Sequence, residues 1–305
     1  MQTKKPLLPR KINALHTALL GWYGKNGRKF QWRESRDPYV ILVSEVMLQQ
    51  TQTARVAEKL PAFLRRFPTV AALARAPRAA VIRAWQGMGY NRRAVHLHEC
   101  AKQIRRRGKK FPEKKEELIR LPGIGKYTAS AITCFAHGQR VPVVDVNIRR
   151  VLSRVLRQQT ALSTLIDERE IWNIAEALLP RKRFYEWNQA LMDIGATVCM
   201  RRKAHCTECP LRAHCVSATA LNNSNATEPP RSKKAEPSHN GIPYRIWRGR
   251  IIELLRTKKT APVAAIARAF APAFTGANML LLKKLLHGLE RDGLVKVGKS
   301  VSLAE

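Results

Sequence analysis

The sequence predicts an all-α protein in two parts: a large helical domain over residues 1–217 and, after a linker at 218–241, a small module at 242–305 that ends in a two-stranded wing. Three observations carry this reading. Up to residue 217 apolar residues recur at three- and four-residue spacing, and convincing strand signals are absent. From Leu221 to Gly241 the composition shifts to Asn, Ser, Pro, Lys and Glu with almost no large apolar residue, as in a linker. Beyond it, Leu294 to Leu303 alternates apolar and polar around Gly298-Lys299, the pattern of a hairpin. A chain of 305 residues, 45% hydrophobic, can bury one sizeable core and a smaller second one.

Each element has its own justification. Ile12, Leu15, Leu19 and Trp22 mark one face of a first helix. Asp37-Pro38 reads as a cap followed by a first-turn proline, and the helix it opens is apolar nearly all round until Gln49. The helical period returns in Ile148, Val151, Leu152 and Val155, and again in Trp187, Leu191 and Ile194. In the last segment, Ile251 to Leu255 marks one helix, Val263 to Phe270 a second and Asn278 to Leu289 a third. Three helices and a wing make a winged-helix-like module. Its twelve basic residues against four acidic ones over 241–305 favour DNA as its partner, with a protein partner as the alternative.

Charge and cysteines narrow the class. The 56 Lys and Arg against 22 Asp and Glu leave a formal net charge of +34, for which duplex DNA or RNA is the natural counter-charge. No apolar run reaches membrane-spanning length, and Met1 to Lys11 carries four basic residues and no apolar core, so a cytoplasmic, reducing setting is expected. Four of the six cysteines lie in Cys199-x6-Cys206-x2-Cys209-x5-Cys215, whereas Cys100 and Cys134 fall on apolar helix faces as buried thiols. In a reducing setting the group of four is a metal site, zinc or iron–sulfur. One Cys-x-x-Cys pair with an outlier on each side departs from the zinc-ribbon pattern and leans towards iron–sulfur.

Three further stretches carry chemistry. Leu121-Pro122-Gly123-Ile124-Gly125-Lys126-Tyr127 lies between two helical segments, and its glycines permit a tight hairpin whose N–H groups can point at a phosphate; a ligand-free helix connection is the plain alternative. Asp145 stands at the mouth of an apolar helix, where capping is the plain reading. Glu45 is the one ionisable group in the buried run Tyr39–Gln49; a desolvated carboxyl has its pKa raised and can serve as a general acid, while pairing with a buried Arg is the alternative.

Together, Ser44-Glu45-Val46-Met47-Leu48-Gln49-Gln50-Thr51-Gln52, the Gly87-Met88-Gly89-Tyr90 turn, the hairpin, Asp145 and the cysteine loop resemble the MutY-type adenine DNA glycosylases, helix–hairpin–helix Gly/Pro–Asp enzymes with an iron–sulfur cluster loop, over about residues 10–217. The resemblance implies a six-helix barrel and a cluster-bearing helical domain that hold the scissile base between them. It implies that Glu45 protonates the leaving adenine, that Asp145 stabilises the cationic sugar, and that Tyr127 and Asn147 hold the site's geometry. Gln50 and Tyr90 would be wedges into the base stack around a flipped nucleotide, with Gln49 beside them. Gly123, Gly125, Lys126 and Arg149 would lie at the DNA, with Arg150, Arg201, Arg202 and Lys203 as further phosphate contacts. Cys199, Cys206, Cys209 and Cys215 would hold a [4Fe–4S] cluster. A tyrosine stands at position 127, where lyase-active relatives carry a Schiff-base lysine, so the resemblance implies a monofunctional glycosylase that leaves an abasic site.

The chain departs from the family in two places. No Nudix-like pattern follows residue 217, and Val146 stands where a glycine is usual beside the aspartate. The expected substrate is therefore adenine opposite guanine or 8-oxoguanine in mismatched double-stranded DNA, bound by a monomer. A thymine or uracil mismatch glycosylase is the alternative within the class, and a noncatalytic iron–sulfur DNA-binding regulator the alternative outside it.

Overall fold

A computed structural model describes residues 8–108, 110–157, 165–223 and 236–305. Its described residues form α1 (Pro9–Asn26), α2 (Gln31–Glu34), α3 (Pro38–Leu48), α4 (Thr53–Arg66), α5 (Val70–Arg75), α6 (Arg78–Ala84), α7 (Arg92–Arg106), α8 (Lys115–Ile119), α9 (Lys126–Phe135), α10 (Val146–Leu156), α11 (Glu168–Ala177), α12 (Phe184–Thr197) and α13 (Ala218–Asn223). Then come β1 (Ser238–His239), β2 (Ile242–Pro243), α14 (Tyr244–Lys258), β3 (Thr260–Ala261), α15 (Val263–Ala269), α16 (Met279–Arg291), β4 (Val295–Val297) and β5 (Val301–Leu303). Of the linker at 218–241, residues 224–235 lie outside the described residues.

The chain divides into two compact units, each assembled from two separate stretches: residues 1–38 with 126–231, and residues 39–125 with 232–305. In the first unit, α1, α10, α11 and α12 share one core. Leu15 and Leu19 from α1 meet Ile148, Val151 and Leu152 from α10, Ile171 from α11 and Trp187, Leu191 and Ile194 from α12. These are the positions whose helical spacing marks the faces in the sequence.

In the second unit, α3 is buried at every position from Ile41 to Met47, which explains its nearly uniform apolar character. The C-terminal residues build a three-stranded antiparallel sheet ordered β3-β5-β4, with Val295 opposite Leu303 and Val297 opposite Val301. The expected hairpin around Gly298 is there; the two-residue strands β1, β2 and β3 are too short to leave an alternation pattern. The sheet and α14, α15 and α16 do not enclose a private core. Trp247, Ile251, Ile252 and Leu255 pack with Leu294, Val295 and Val301 and also with Ala79 and Ile82 of α6 and Val95 of α7.

One buried ion cluster ties the first unit together. The Asp193 carboxylate, with no exposed surface, accepts from Arg28 Nε at 2.8 Å, the Arg28 backbone N–H at 2.9 Å, and Arg33 Nη1 and Nη2 at 2.9 and 2.7 Å. Burial alone would raise its pKa, but the hydrogen bonds and positive charge of Arg33 and Arg28 outweigh it and hold the carboxyl below its ordinary value. Because the folded pKa is depressed, the stabilisation is fully present above the unfolded carboxylate range and is lost as pH falls through the folded value. Asp193→Ala, which strands two guanidinium groups, should cost about 3–5 kcal/mol in urea unfolding at neutral pH. The difference from the parent should shrink at acid pH.

Candidate functional site

The site residues read from the sequence fall in both units. Glu45, Gln49, Gln50, Tyr90, Gly123 and Gly125 belong to the unit with 39–125, and Lys126, Tyr127, Asp145, Asn147, Arg149 and the four cysteines to the other. Each set has its own geometry.

Glu45 is buried within α3, on the same helix that delivers Gln49 and Gln50 at its C-terminal end. Gln50 is exposed with φ +55°, and Tyr90 is 57% exposed with φ +41°. A left-handed backbone at a non-glycine residue is uncommon and costs of order 1–3 kcal/mol, so it persists only where neighbouring contacts enforce it. Both segments are held by one side chain, Arg93 of α7. Its Nη1 donates to the carbonyls of Val46 at 3.0 Å and Met47 at 2.9 Å and to that of Gln49. Its Nη2 donates to Met88 O at 2.8 Å, Gly89 O at 3.3 Å and Thr51 Oγ1 at 3.0 Å. The same guanidinium lies over the rings of Trp85 and Tyr90. Burial lowers the Arg93 pKa to about 10, which leaves it charged at neutral pH.

The hairpin joins α8 to α9, anchored by the buried side chains of Leu121 and Ile124. Its two glycines are not equivalent. Gly123 has φ +77°, and a Cβ there would lie 2.8 Å from His96 Cβ, so both conformation and space demand glycine. A Cβ on Gly125 would meet nothing within 4 Å. Lys126 is exposed, with its Nζ 4.2 Å from the centroid of the Trp172 ring. Tyr127, the second residue of α9, is half-buried.

Asp145 caps α10, as its plain reading held: one carboxylate oxygen accepts from the Ile148 N–H at 2.7 Å. The other accepts from Asn147 Nδ2 at 2.8 Å. Asn147 Oδ1 in turn accepts from Arg150 Nη2 at 3.0 Å, and Arg150 donates through the same nitrogen to Gly195 O at 2.6 Å and through Nε to Cys199 O at 2.9 Å. A continuous hydrogen-bonded path therefore runs from the cysteine loop to the Asp145 carboxylate. Burial raises the Asp145 pKa, and the Ile148 N–H, Asn147 and Arg150 oppose the rise. Val146, beside it, is 75% exposed and so is free of the local core.

Arg150 corrects the sequence reading, which placed it on phosphate. It is 4% exposed and all of its hydrogen bonds described above point inward, because α10 turns this position towards α12. Arg149 is half-buried and donates through Nε to Ile166 O at 2.6 Å. Arg201, Arg202 and Lys203 are exposed.

Cys199, Cys206, Cys209 and Cys215 line a single apolar cavity with Val151, Val155, Ile194, Val198 and Leu211. Arg154 fastens the loop to α10: its Nη1 donates to Met200 O at 2.8 Å and lies 3.5 Å from Cys199 Sγ, while its own carbonyl accepts from the Ser217 N–H at 3.1 Å. Burial pushes the Cys209 thiol up to about 12 and the Cys215 thiol up to about 11. Among the described residues, no three His, Cys, Asp or Glu side chains converge closely enough for a single metal ion. Cys100 and Cys134 are buried on α7 and α9, their thiols pushed up to about 12 and about 11 by burial.

Sequence reasoning missed Arg93, Arg154 and Gly195. The arginines had a signal, since each falls on a helix face made up mostly of apolar residues. Gly195 had one too: a glycine inside a helix costs roughly 1 kcal/mol against alanine, so its presence implies a packing demand.

A family model for HhH-GPD superfamily base excision DNA repair proteins matches residues 43–177, and that is the class of protein these elements define. The chain is 42% identical over 250 residues to an adenine DNA glycosylase of Mycobacterium tuberculosis, covering 81% of this chain and 80% of that protein. It is 37% identical over 214 residues to the adenine DNA glycosylase of Homo sapiens, covering 67% of this chain and 39% of that protein. Among solved structures it resembles a thermostable thymine-DNA glycosylase with a TM-score of 0.65 at 29% identity, over 69% of this chain and 98% of that one. A complex of endonuclease III with DNA shares the fold, with a TM-score of 0.61 at 18% identity over 72% of this chain and 100% of that one. The chain belongs to the MutY-type adenine DNA glycosylase family.

A Cβ on Gly195 would lie 2.9 Å from Asn147 Cβ and 3.3 Å from Val151 Cγ2, so α12 meets the first turn of α10 at a distance only glycine allows. Gly195→Ala should push Asn147 off Asp145, lowering the single-turnover excision rate about tenfold. Thermal unfolding should register a cost of about 1–3 kcal/mol.

Proposed function

We propose that this protein is a monofunctional DNA N-glycosylase of base excision repair that hydrolyses the glycosidic bond of adenine mispaired with guanine or 8-oxoguanine. Adenine removal is supported above all by the 42% identity, spread over four-fifths of both chains, to a protein named for that activity. In this reading Glu45 donates a proton to the leaving base from its buried position on α3. Asp145, kept in place by the Ile148 N–H and Asn147, faces the positive charge that develops on the sugar. Tyr127 replaces the amine that lyase chemistry needs, so an intact abasic site is the product. Gln50 and Tyr90, exposed on left-handed backbone, are the wedges that fill the stack, with Gln49 beside them. Gly123, Gly125, Lys126, Arg149 and the exposed Arg201, Arg202 and Lys203 lie along the phosphates.

The four cysteines would hold a [4Fe–4S] cluster. A single zinc ion needs its thiolates within about 2.3 Å of one point, whereas a cluster carries them at the corners of a larger body. The four cysteines line one apolar cavity, and that shared lining supports a common group held by all four. When bound, the cluster supplies a rigid cross-link for the basic loop, and the excision chemistry stays with Glu45 and Asp145. The 242–305 module reads as a winged helix, from its helix-strand-helix-helix order and closing hairpin.

Single-turnover assays on A:8-oxoguanine, A:G, T:G and U:G duplexes test the assignment. Adenine should be released from the first two, leaving a strand that breaks only under alkali. Release confined to T:G or U:G would replace adenine by a pyrimidine. Asp145→Asn should bind mismatched DNA and lose about a thousandfold or more in rate; equal activity of the two proteins would remove the mechanism.

The pH profile gives a second test. Asp145 serves as an anion, so activity is full above its pKa and lost as pH falls through it; burial raises that pKa, which moves the loss to higher pH than an ordinary aspartate would give. Asn147→Ala removes a donor that stabilises the anion. Its acid limb should therefore move to still higher pH, and a limb that stays put would show that Asn147 does not act on Asp145.

A further inference from the structure

Four residues of the C-terminal module, Arg256, Glu253, Asp292 and Gly293, meet α6, the Tyr90 turn and the start of α7. Arg256 of α14 is 9% exposed, and its guanidinium reaches across to this segment. Nε and Nη2 donate to Ile82 O at 3.2 and 2.9 Å, in the last turn of α6, and Nη2 also donates to Asn91 Oδ1 at 2.9 Å, the residue that follows Tyr90. Glu253, one turn back, pairs with Arg256 and accepts from Gln86 Nε2 at 3.0 Å, one residue before Gly87. Asp292, just past α16, pairs with Arg92 at 3.6 Å. Gly293 at φ +68° brings the chain against Arg78 and Val95, where a Cβ would lie 3.3 and 3.4 Å from Arg78 Nη1 and Val95 Cγ1. Beneath these polar contacts the two parts share one apolar core.

We propose that the C-terminal module is a brace for the base-stack wedge, and that Arg256 is a positioning residue acting on Tyr90 through Asn91 and the end of α6. The inference rests on the reading of Tyr90 as the wedge. Its physical reason is the left-handed backbone at Tyr90, which has to be held against relaxation. Arg93 grips the turn from one side, on Met88 O and Gly89 O. Arg256 fixes the next residue along the chain. A turn held at both places keeps Tyr90 in one conformation before DNA arrives, so less ordering remains to be done on binding.

The test is a double-mutant cycle in the full-length protein, with Tyr90→Ala, Arg256→Met, Asn91→Ala and the pairs combining Tyr90→Ala with each of the other two. Three readouts apply: single-turnover excision from A:G and A:8-oxoguanine duplexes, extrusion followed with a fluorescent purine analogue at the target base, and thermal unfolding. Arg256→Met and Asn91→Ala should each slow extrusion and excision about tenfold, and neither should add a further loss once Tyr90 is alanine. Losses that multiply in the double variants would make Arg256 a general stability residue and overturn the inference. So would full extrusion in both Arg256→Met and Asn91→Ala when Tyr90→Ala is impaired. Full activity of Tyr90→Ala would bring down the wedge reading itself, and the brace with it. Asn91→Ala leaves the contact to Ile82 and the shared core in place, so it decides the matter even if Arg256→Met does not fold.

Discussion

The interaction on which most of this structure depends is a guanidinium group set against carbonyl oxygens at the end of a helix. The last four carbonyls of an α-helix have no partner within it, and the helix dipole makes them favourable to positive charge. In this chain arginines from elsewhere in the same unit fill that need. Arg93 closes α3, Arg36 donates to Phe135 O at the end of α9 at 2.9 Å, Arg150 closes α12, and Arg256 closes α6. Arg140 serves the carbonyls of Leu179 and Pro180 just past α11. Arginine suits the task because one planar fork can meet several acceptors at once while remaining charged when buried.

The same device reaches the residues proposed for the chemistry. Arg150 joins the end of α12 and the Cys199 carbonyl to Asn147, and Asn147 meets Asp145, so one hydrogen-bonded path links the loop, the helix end and the carboxylate. Removal of any link leaves a buried donor or acceptor unsatisfied, at about 1–3 kcal/mol. Arg93 plays the matching role in the other unit, where it ties the end of the Glu45 helix to the Tyr90 turn. Arg150 and Arg93 therefore each hold one residue proposed for chemistry or base extrusion in register with a helix end.

The helices of the first unit were legible because their buried faces repeat at Leu15/Leu19, Ile148/Val151/Leu152/Val155 and Trp187/Leu191/Ile194, and burial is what writes such a period. Glu45 stood out for the converse reason, as a lone ionisable residue in a helix buried all round. Asp145 was legible as a cap but not as the end of a path from Cys199, since that path is a property of packing between α10 and α12. The attachment of the C-terminal module to α6 and α7 was equally hidden. The residues that make it, Ala79, Ile82 and Val95, look like ordinary inward positions of their own helices. A linker in the sequence separates segments along the chain, and it carries no information about whose core they share.

The formal charge of +34 takes on a different meaning in this light. Read from composition, it measures attraction to a polyanion. Yet Arg93, Arg150, Arg154 and Arg256 are buried on carbonyl oxygens, and Arg33 is spent on Asp193. These groups cannot release counterions from a phosphate backbone, because they have no phosphate to meet. In the function proposed above, the charge that remains for DNA is carried by exposed side chains such as Arg201, Arg202 and Lys203, between Cys199 and Cys206. Basic composition thus supports two separate tasks, helix closure inside and phosphate attraction outside. The first is what gives the second a fixed surface on which to act.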